Sequence, residues 1–304
     1  MRALVRHTFA AGLVLACLSC PALAKEKWTG STDQLDDTWA QSALDDPQMD
    51  RGWCQSCDQD WNDGRVSHCE VREFAFPRGK RPIAIRGGDN GGMTVMGWDR
   101  DSVRIVYRVT ARANTEERAA ALASSIRLAI ASGWLEPDGP EATRSEWWSV
   151  EVKAWVPRSS QLALETENGP LGVRGVKGTM DLNTTNGPMS LVDLGGAVEA
   201  RVQNGPLNVE LAGSQWDGTG LDAEAQNGPL NLSLPAKYSA ELVTGTISGP
   251  RSFEYAIERG QRGEWIETTL GKGGKRVRVV THNGPFHIEE RNPPTDAPVN
   301  SLYR

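Results

Sequence analysis

Three cysteines and one histidine near the start of the chain have types and spacing that could do chemistry. Cys54 and Cys57 are separated by two residues, and His68 and Cys69 follow the second cysteine by 11 and 12 residues. Thiolates and imidazoles spaced in this way can hold zinc. Adjacent His and Cys side chains rarely reach one tetrahedral ion, however, and no second C-x-x-C pair is present. The sequence therefore favours a disulfide from Cys69 to Cys54 or to Cys57.

The loop between these cysteines partly resembles a calcium site. Asp58, Asp60 and Asn62 match the first, third and fifth ligands of an EF-hand loop. The match then fails, because Gly64 comes one residue late and Cys69 occupies the twelfth position. We expect an acidic surface turn closed by the disulfide, with no bound metal.

Composition limits the remaining chemistry. The chain has 304 residues but only 4 His, and its formal net charge is -6, which argues against a nucleic-acid binder because such a protein needs a basic field. The segment 245–249 lacks the spacing of a nucleophile elbow, and 271–275 lacks that of a phosphate-binding loop. The acidic residues Asp181, Asp193, Asp217 and Asp222 do not recur at one repeat position. His282 and His287 flank the last repeat corner, and we expect no metal there. We expect no catalytic residues, no enzyme activity, no metal site and no cofactor.

Residues 1–24 have the features of an export signal. Arg2 and Arg6 precede a short apolar run, and Ala22 and Ala24 form a small-x-small cleavage pattern. Residues 14–17 offer an alternative, since they resemble a lipoprotein signal in which Cys17 is lipidated. Either reading predicts a protein of the periplasm or cell surface. No later stretch approaches 18 apolar residues, so any membrane contact is through the lipid anchor.

The tripeptide Asn-Gly-Pro occurs five times and defines a repeat. The first two intervals are 18 residues each, and a third of 23 contains a five-residue insertion near 213–220. Weakened copies begin at Asn90 (Asn-Gly-Gly) and Ser248 (Ser-Gly-Pro). The five full copies are Asn168-Gly169-Pro170, Asn186-Gly187-Pro188, Asn204-Gly205-Pro206, Asn227-Gly228-Pro229 and Asn283-Gly284-Pro285.

Apolar residues alternate with polar ones on both sides of each copy, which predicts two strands joined at the tripeptide. Proline has no N–H to close a hairpin turn, so we expect an open corner that carries the chain into another sheet. Stacked corners would bring the Asn side chains ~4.8 Å apart in an amide ladder. The predicted fold is all-β, a β-solenoid or parallel β-helix-like repeat with ~18-residue coils.

One amphipathic α-helix is predicted near 114–133. Asn114 has the position of an N-cap, Gly133 that of a C-terminal stop, and residues 119, 122, 126 and 130 form an apolar stripe. The predicted organisation is a signal peptide (1–24), a flexible acidic lead-in (25–52), one β-repeat domain (53–290) and a disordered tail (291–304). Within the domain, the helix belongs to an N-terminal part (53–160), and the repeats occupy 161–290.

Trp98 and Trp216 are the candidates for ligand contact. Nine of the 11 Trp precede residue 160, where large aromatics suit the cover of a solenoid end. Trp98 and Trp216 instead follow repeat corners in loop-like sequence. We therefore expect them to be exposed, where their rings could stack on sugars.

Several segments together resemble the bacterial "putative adhesin" family. They are His68-Cys69-Glu70-Val71-Arg72-Glu73, Gly97-Trp98-Asp99-Arg100-Asp101-Ser102-Val103, the helix and the Asn-Gly-Pro repeats, which cover most of residues 69–290. The resemblance implies an exported domain of β-strand repeats whose function is unknown. It carries over no catalytic residue.

The sequence thus predicts an exported, non-catalytic solenoid that presents an extended surface for adhesion or envelope organisation. One alternative is a module that binds glycan or peptidoglycan through Trp-bearing loops. A second is a β-helix enzyme acting on polysaccharides. The expected partners are an envelope glycan or a surface protein, and not a nucleic acid.

Overall fold

The computed structural model describes residues 64–257, 261 and 263–291. The predicted signal peptide and lead-in, Cys17, Cys54, Cys57 and all of the predicted tail after Arg291 lie outside the described residues. The helix is α1 (Glu116–Ser125). The strands are β1 (Val66–Pro77), β2 (Ile83–Arg86), β3 (Met93–Trp98), β4 (Ser102–Ala113), β5 (Arg127–Ala131), β6 (Trp134–Asp138), β7 (Trp147–Pro157), β8 (Leu162–Asn168), β9 (Leu171–Arg174), β10 (Lys177–Asn186), β11 (Met189–Val192), β12 (Gly195–Asn204), β13 (Leu207–Glu210), β14 (Gly218–Asn227), β15 (Leu230–Leu234), β16 (Ala240–Ser248), β17 (Arg251–Glu254), β18 (Ile266–Leu270), β19 (Arg276–Asn283) and β20 (Phe286–Glu290).

The strands form two ten-stranded sheets, and the predicted predominance of β structure is confirmed. Sheet A has the order β1-β4-β7-β3-β9-β11-β13-β15-β20-β17, and sheet B has the order β18-β16-β19-β14-β12-β10-β8-β2-β6-β5. In the repeat region β8, β10, β12, β14 and β19 of sheet B each end at an Asn-Gly-Pro corner, and β16 ends at the weakened Ser-Gly-Pro copy. The strand that follows each of these corners lies in sheet A. The corner therefore carries the chain from one sheet to the other, as Pro's missing donor predicts.

We call one sheet B strand, its corner and the next sheet A strand a coil. Lys177 of β10 pairs in parallel with Gly195 of β12, and Met189 of β11 pairs with Leu207 of β13. Both offsets are 18 residues, the interval between the corners. The alternation places one residue in two inside, so Leu182 and Leu191 from the two sheets join the same buried core.

The spatial order of the coils differs from their order along the chain. β19 pairs with β14 on one side and β16 on the other, and β20 lies between β15 and β17. After β17 the chain forms β18, which pairs with β16 in the antiparallel direction. The next strand, β19, pairs in parallel with the other edge of β16, so β16 lies between β18 and β19. The coil that contains Asn283 (β19 and β20) therefore stacks on the coil that contains Asn227 (β14 and β15), and the coil with the weakened Ser248 copy (β16 and β17) lies on its other side.

The N-terminal half extends sheet A with long antiparallel strands. β4 pairs with β1 and β7, and β7 pairs in parallel with β3, which joins this part to the first corner-bearing strands. Helix α1 contacts β1 and β4 and buries Ala119, Leu122 and Ala123. Among the described residues, no helix combines the length and the apolar character needed to cross a membrane.

The helix is shorter than predicted at both ends. Thr115, not Asn114, is the N-cap, because its extended backbone lets its side chain accept a hydrogen bond from the Arg118 amide at 3.3 Å. The helix ends at Ser125, and residues 127–138 form the hairpin β5–β6. Ser132 and Gly133 both have positive φ and form its two-residue turn, so Gly133 is not a helix stop. Ile130 is consequently 65% exposed.

Candidate functional site

The asparagines of the five corners form a continuous row of hydrogen bonds on the surface. Each side-chain amide donates to the side-chain oxygen of the neighbouring coil: Asn186 to Asn168 (2.9 Å), Asn204 to Asn186 (3.0 Å), Asn227 to Asn204 (3.0 Å) and Asn283 to Asn227 (3.0 Å). We call these five residues the amide ladder. The last step spans 56 residues of sequence, because the inserted coil brings Asn283 against Asn227.

The two weakened copies mark where the ladder ends. At one end, the Asn168 side chain donates to the backbone carbonyl of Asp89 at 2.6 Å. We expected Asn90 at a corner, but this hydrogen bond does not involve the Asn90 side chain. At the other end Ser248 pairs in register with Asn283. Serine has no amide to donate, so the loss of Asn coincides with the outermost coil.

Asn186→Ala should destabilise the protein more than a neighbouring asparagine substitution. The change removes one bond donated to Asn168 and one accepted from Asn204, so we expect a loss of about 1–2 kcal/mol. Asn183→Ala is the matched control, because Asn183 lies on the same strand and, within the described residues, its side chain hydrogen-bonds to Asp181 two residues away and to no other coil. Urea unfolding checks the difference, and equal losses would contradict a stabilising ladder.

The corner glycines pack backbone against backbone. Gly205 has φ 151°, and a Cβ there would lie 2.1 Å from the carbonyl oxygen of Gly187 in the adjacent coil. Gly187, Gly228 and Gly284 have the same positive φ and the same close approach to the next corner. The asparagines are absent from the non-glycine residues with positive φ, so glycine and not Asn adopts the unusual conformation. The corners are therefore structural.

Carboxylates line up on the outer face of sheet B, contrary to the prediction that the acids need not align. Asp181, Glu199 and Asp222 occupy equivalent positions on β10, β12 and β14 and are register neighbours. Each precedes its corner Asn by five residues, a signal that was present in the sequence and was missed because Glu199 was not considered. Asp193 and Asp217 lie outside this row.

Basic residues on the same face bind two of these carboxylates, Glu199 and Asp222, and the nearby Glu224. Arg278 contacts Asp222 (2.7 Å) and Glu224 (2.6 Å), and Arg201 contacts Glu199 (3.0 Å) and Asp222 (3.3 Å). His282 lies 2.7 Å from Glu224. We call these six residues the sheet B ion network. The Arg278 guanidinium also stacks on Trp265, 4.6 Å from the ring centre.

Glu224 has an electrostatic environment that favours the ionised form. Burial alone would raise the pKa of Glu224, but hydrogen bonds and charge from Arg278 and His282 outweigh it and lower the pKa below its ordinary 4.5. A carboxyl group that acts as general acid near neutral pH needs a raised pKa. This geometry suits a surface ion pair rather than acid catalysis.

Glu224→Gln should remove part of the acid sensitivity of the fold. A carboxyl group whose pKa is lower in the folded state stabilises the protein above its unfolded pKa and loses that contribution as pH falls through the folded pKa. The wild type should therefore exceed the variant in stability at pH 7, and the difference should shrink below pH ~4.5. Thermal unfolding across this range tests it, and a difference that grows on acidification would contradict it.

Trp216 is buried and is not the exposed ligand contact that we predicted. The side chain is 4% exposed, belongs to the core and donates from its indole N–H to the carbonyl of Gly196 at 2.9 Å. The physical reason is the five-residue insertion near 213–220, which carries Trp216 and lets its indole reach the backbone of Gly196 on the neighbouring strand β12.

Trp98 is half-buried at the end of β3. Its indole N–H donates to the Ser102 carbonyl at 2.8 Å, and the Arg100 guanidinium lies 5.2 Å from its ring centre. Asp99 forms an ion pair with Arg158, whose hydrogen bond lowers the pKa of Asp99. Within the segment 97–103, the Trp98 ring and the Asp99 carboxylate thus both have partners in the protein. The structure does not bring Trp98 and Trp216 into one site.

The segment that starts at His68 has a structural role. Arg72 is buried, donates to Glu70 and to the carbonyls of Ala123 and Ile126, and so joins β1 to the end of α1. Glu70 also accepts from Ser124 at 3.0 Å. Arginine beside the last carbonyls of a helix also suits the helix dipole. These contacts give Glu70 and Arg72 of this segment a role in holding β1 against α1.

Cys69 lies on β1, with its Sγ 3.5 Å from the Thr110 hydroxyl. Its predicted partners Cys54 and Cys57 lie outside the described residues, as do the residues of the calcium-like loop, Asp58, Asp60 and Asn62. The disulfide and the absence of calcium therefore stay predictions.

No curated protein matches this chain significantly. It is similar to a "putative cell adhesion protein" from Clostridium sporogenes, with 12% identity, coverage of 73% of this chain and 100% of that chain, and a TM-score of 0.33. It is also similar to a "putative adhesin" from Bacteroides fragilis, with 11% identity, coverage of 73% and 97%, and a TM-score of 0.31.

A family model described as Toastrack DUF4097 matches residues 148–289. The match begins in β7, ends in β20 and contains all five Asn-Gly-Pro corners. The resemblance to a "putative adhesin" family of unknown function is thereby confirmed. The matched residues, a little under half of the chain, are therefore similar to the Toastrack DUF4097 family.

Proposed function

We propose that the chain is an exported, non-catalytic β-solenoid of ~18-residue coils that presents an extended surface in the cell envelope. The surface serves adhesion or the organisation of the envelope, and its partner is an envelope glycan or a surface protein. The observation that carries the proposal is the amide ladder, which runs without a break over five coils. Repeated coils generate long, regular outer faces, the form in which solenoids bind partners.

The sheet B ion network supports the absence of catalysis. Hydrolysis of a polysaccharide needs two carboxyl groups in different protonation states, one of them with a raised pKa. Here Asp222 and Glu224 share Arg278, and the pKa of Glu224 is lowered. The burial of Trp216 removes one of the two rings on which the glycan-stacking alternative depended.

Export is tested by expressing the full chain with its own leader in a Gram-negative host. We expect intact-mass analysis of the periplasmic protein to give a mature chain that begins at Lys25. Cys17→Ser distinguishes the two signals, with Cys20→Ser as the matched control. Unchanged soluble protein from both variants supports cleavage after Ala24, whereas release from the membrane fraction by Cys17→Ser alone supports the lipid anchor. A chain retained in the cytoplasm with its leader intact would contradict export.

The partner class is tested with the same mature protein on a glycan array and in pull-downs from isolated envelopes. We expect capture of a defined glycan or surface protein, without chemical change to it. Release of shortened oligosaccharides from an envelope polysaccharide would contradict the non-catalytic proposal. Glu224→Gln would then show whether the sheet B ion network is responsible.

A further inference from the structure

Three potential metal ligands converge on the outer face of sheet A, apart from the ladder and the sheet B ion network. One oxygen of Glu254, one oxygen of Glu289 and one ring nitrogen of His287 all lie within 4.8 Å of one another. His287 and Glu289 are two residues apart on β20 and alternate with the buried Phe286 and Ile288, so both point outward. Glu254 is the register neighbour of Glu289 on the edge strand β17.

The charges at this place are unbalanced. Glu254 and Glu289 are directly opposite each other on paired strands, an arrangement that repels when both are ionised. Among the described residues, Glu289 has an ion-pairing contact only with His287, at 3.4 Å, and Glu254 has none with any Lys or Arg. In the sheet B ion network, by contrast, each of the three carboxylates contacts an arginine, so the two glutamates here leave room for a cation from solution.

One of the carboxylates is also held in place from behind. The Ser233 hydroxyl on β15 donates to one oxygen of Glu289 at 2.6 Å, which leaves the other oxygen directed to His287. The His287 and Glu289 side chains are 29% and 46% exposed, so an ion can reach them from solution. Ligands that are oriented by neighbouring hydrogen bonds are typical of metal sites.

We propose that Glu254, His287 and Glu289 bind one zinc ion. The donor set of one imidazole and two carboxylates is one that zinc accepts, whereas calcium and magnesium prefer oxygen alone. In a tetrahedral site with bonds of ~2.0 Å the ligands are ~3.3 Å apart, so rotation of the glutamate side chains closes the present separation. The fourth position remains for water or a ligand group. Bound zinc joins the outermost strand β17 to β20.

Calorimetric titration of the untagged, chelator-treated mature chain with zinc chloride tests the site. We expect one ion per chain in the wild type and at least a tenfold loss of affinity in His287→Gln and in Glu254→Gln. Zinc should also raise the melting temperature of the wild type and not that of His287→Gln. His282→Gln is the matched control, because His282 pairs with Glu224 on the other sheet, and it should bind zinc like the wild type.

Circular dichroism establishes that each variant is folded before titration, as expected for substitutions on an outer face. No saturable zinc binding by the wild type would overturn the proposal. Zinc binding that survives both His287→Gln and Glu254→Gln would also overturn it, since the ion would then lie elsewhere in the chain. Calcium that binds as tightly as zinc, without dependence on His287, would contradict the role of the imidazole.

Discussion

Gly205→Ala is expected to destabilise the protein by more than about 3 kcal/mol or to prevent folding. The new methyl group would lie 2.1 Å from the carbonyl oxygen of Gly187, and backbone atoms on both sides of the contact cannot rotate away. The positive φ of 151° adds a strain that every residue with a Cβ must bear. Because Gly205 itself supports Gly228 in the same way, the damage should extend to the neighbouring coil.

The matched control is Gly172→Ala on β9. A Cβ at Gly172 would meet its nearest atom, in the Thr94 side chain, at 3.6 Å, which is ordinary contact. We expect a change within about 0.5 kcal/mol for this exchange. Guanidinium unfolding of both variants gives the comparison. A Gly205→Ala protein as stable as Gly172→Ala would show that the coils do not stack through their corners.

Trp216→Ala is expected to cost about 3–5 kcal/mol, the range for removal of a large buried aromatic side chain. The ring is 4% exposed, so its loss leaves a cavity in the core beneath the insertion, and the Gly196 carbonyl loses its indole donor. Differential scanning calorimetry should show a much lower melting temperature. The other outcome, a normal melting temperature with loss of glycan binding, would restore the ligand role that the sequence suggested.

Trp216→Phe separates the two contributions. Phenylalanine keeps most of the apolar volume but lacks the indole N–H, so we expect a loss of about 1–2 kcal/mol from the unsatisfied carbonyl and the smaller ring. A loss as large as that of Trp216→Ala would mean that the hydrogen bond to Gly196, and not packing, dominates at this site.

The corners were the best-predicted feature, because their physics is local. Asn-Gly-Pro combines a residue with a donor and an acceptor, a residue free of Cβ and a residue without N–H, and these properties are readable from the tripeptide. The alternation on both sides then assigns the inner and outer faces. The tripeptide alone does not show which residue has the positive φ. Gly187 and Gly205 have it, and not the asparagines, because the glycines pack against the backbone of the adjacent coil.

Features that depend on distant pairing could not be read from the sequence. The coil of Asn283 lies between those of Asn227 and Ser248 because β18 returns antiparallel to β16, a choice made by the whole sheet. The helix end was misplaced because Gly133 suits both a helix stop and a hairpin turn, and pairing of β5 with β6 decides between them.

The candidate sites divide in the same way. The row of Asp181, Glu199 and Asp222 was accessible from the sequence by counting back from each corner. The partners of this row could not be predicted from the sequence. Arg278 and His282 lie on the inserted strand β19, and Trp265 immediately precedes the return strand β18, so their contacts depend on how these strands pair. The same holds for Glu254 and His287, which are 33 residues apart and meet on neighbouring strands.

The central claim is that this chain presents an outer surface to the envelope and does no chemistry there. The most direct measurement is co-sedimentation of the mature protein with isolated envelopes over a range of concentrations, with the bound glycans analysed by mass spectrometry afterwards. The account predicts saturable binding, unchanged in Trp216→Phe, and glycans of unaltered mass. Binding that does not saturate, or glycans cleaved in a time-dependent reaction, would contradict it.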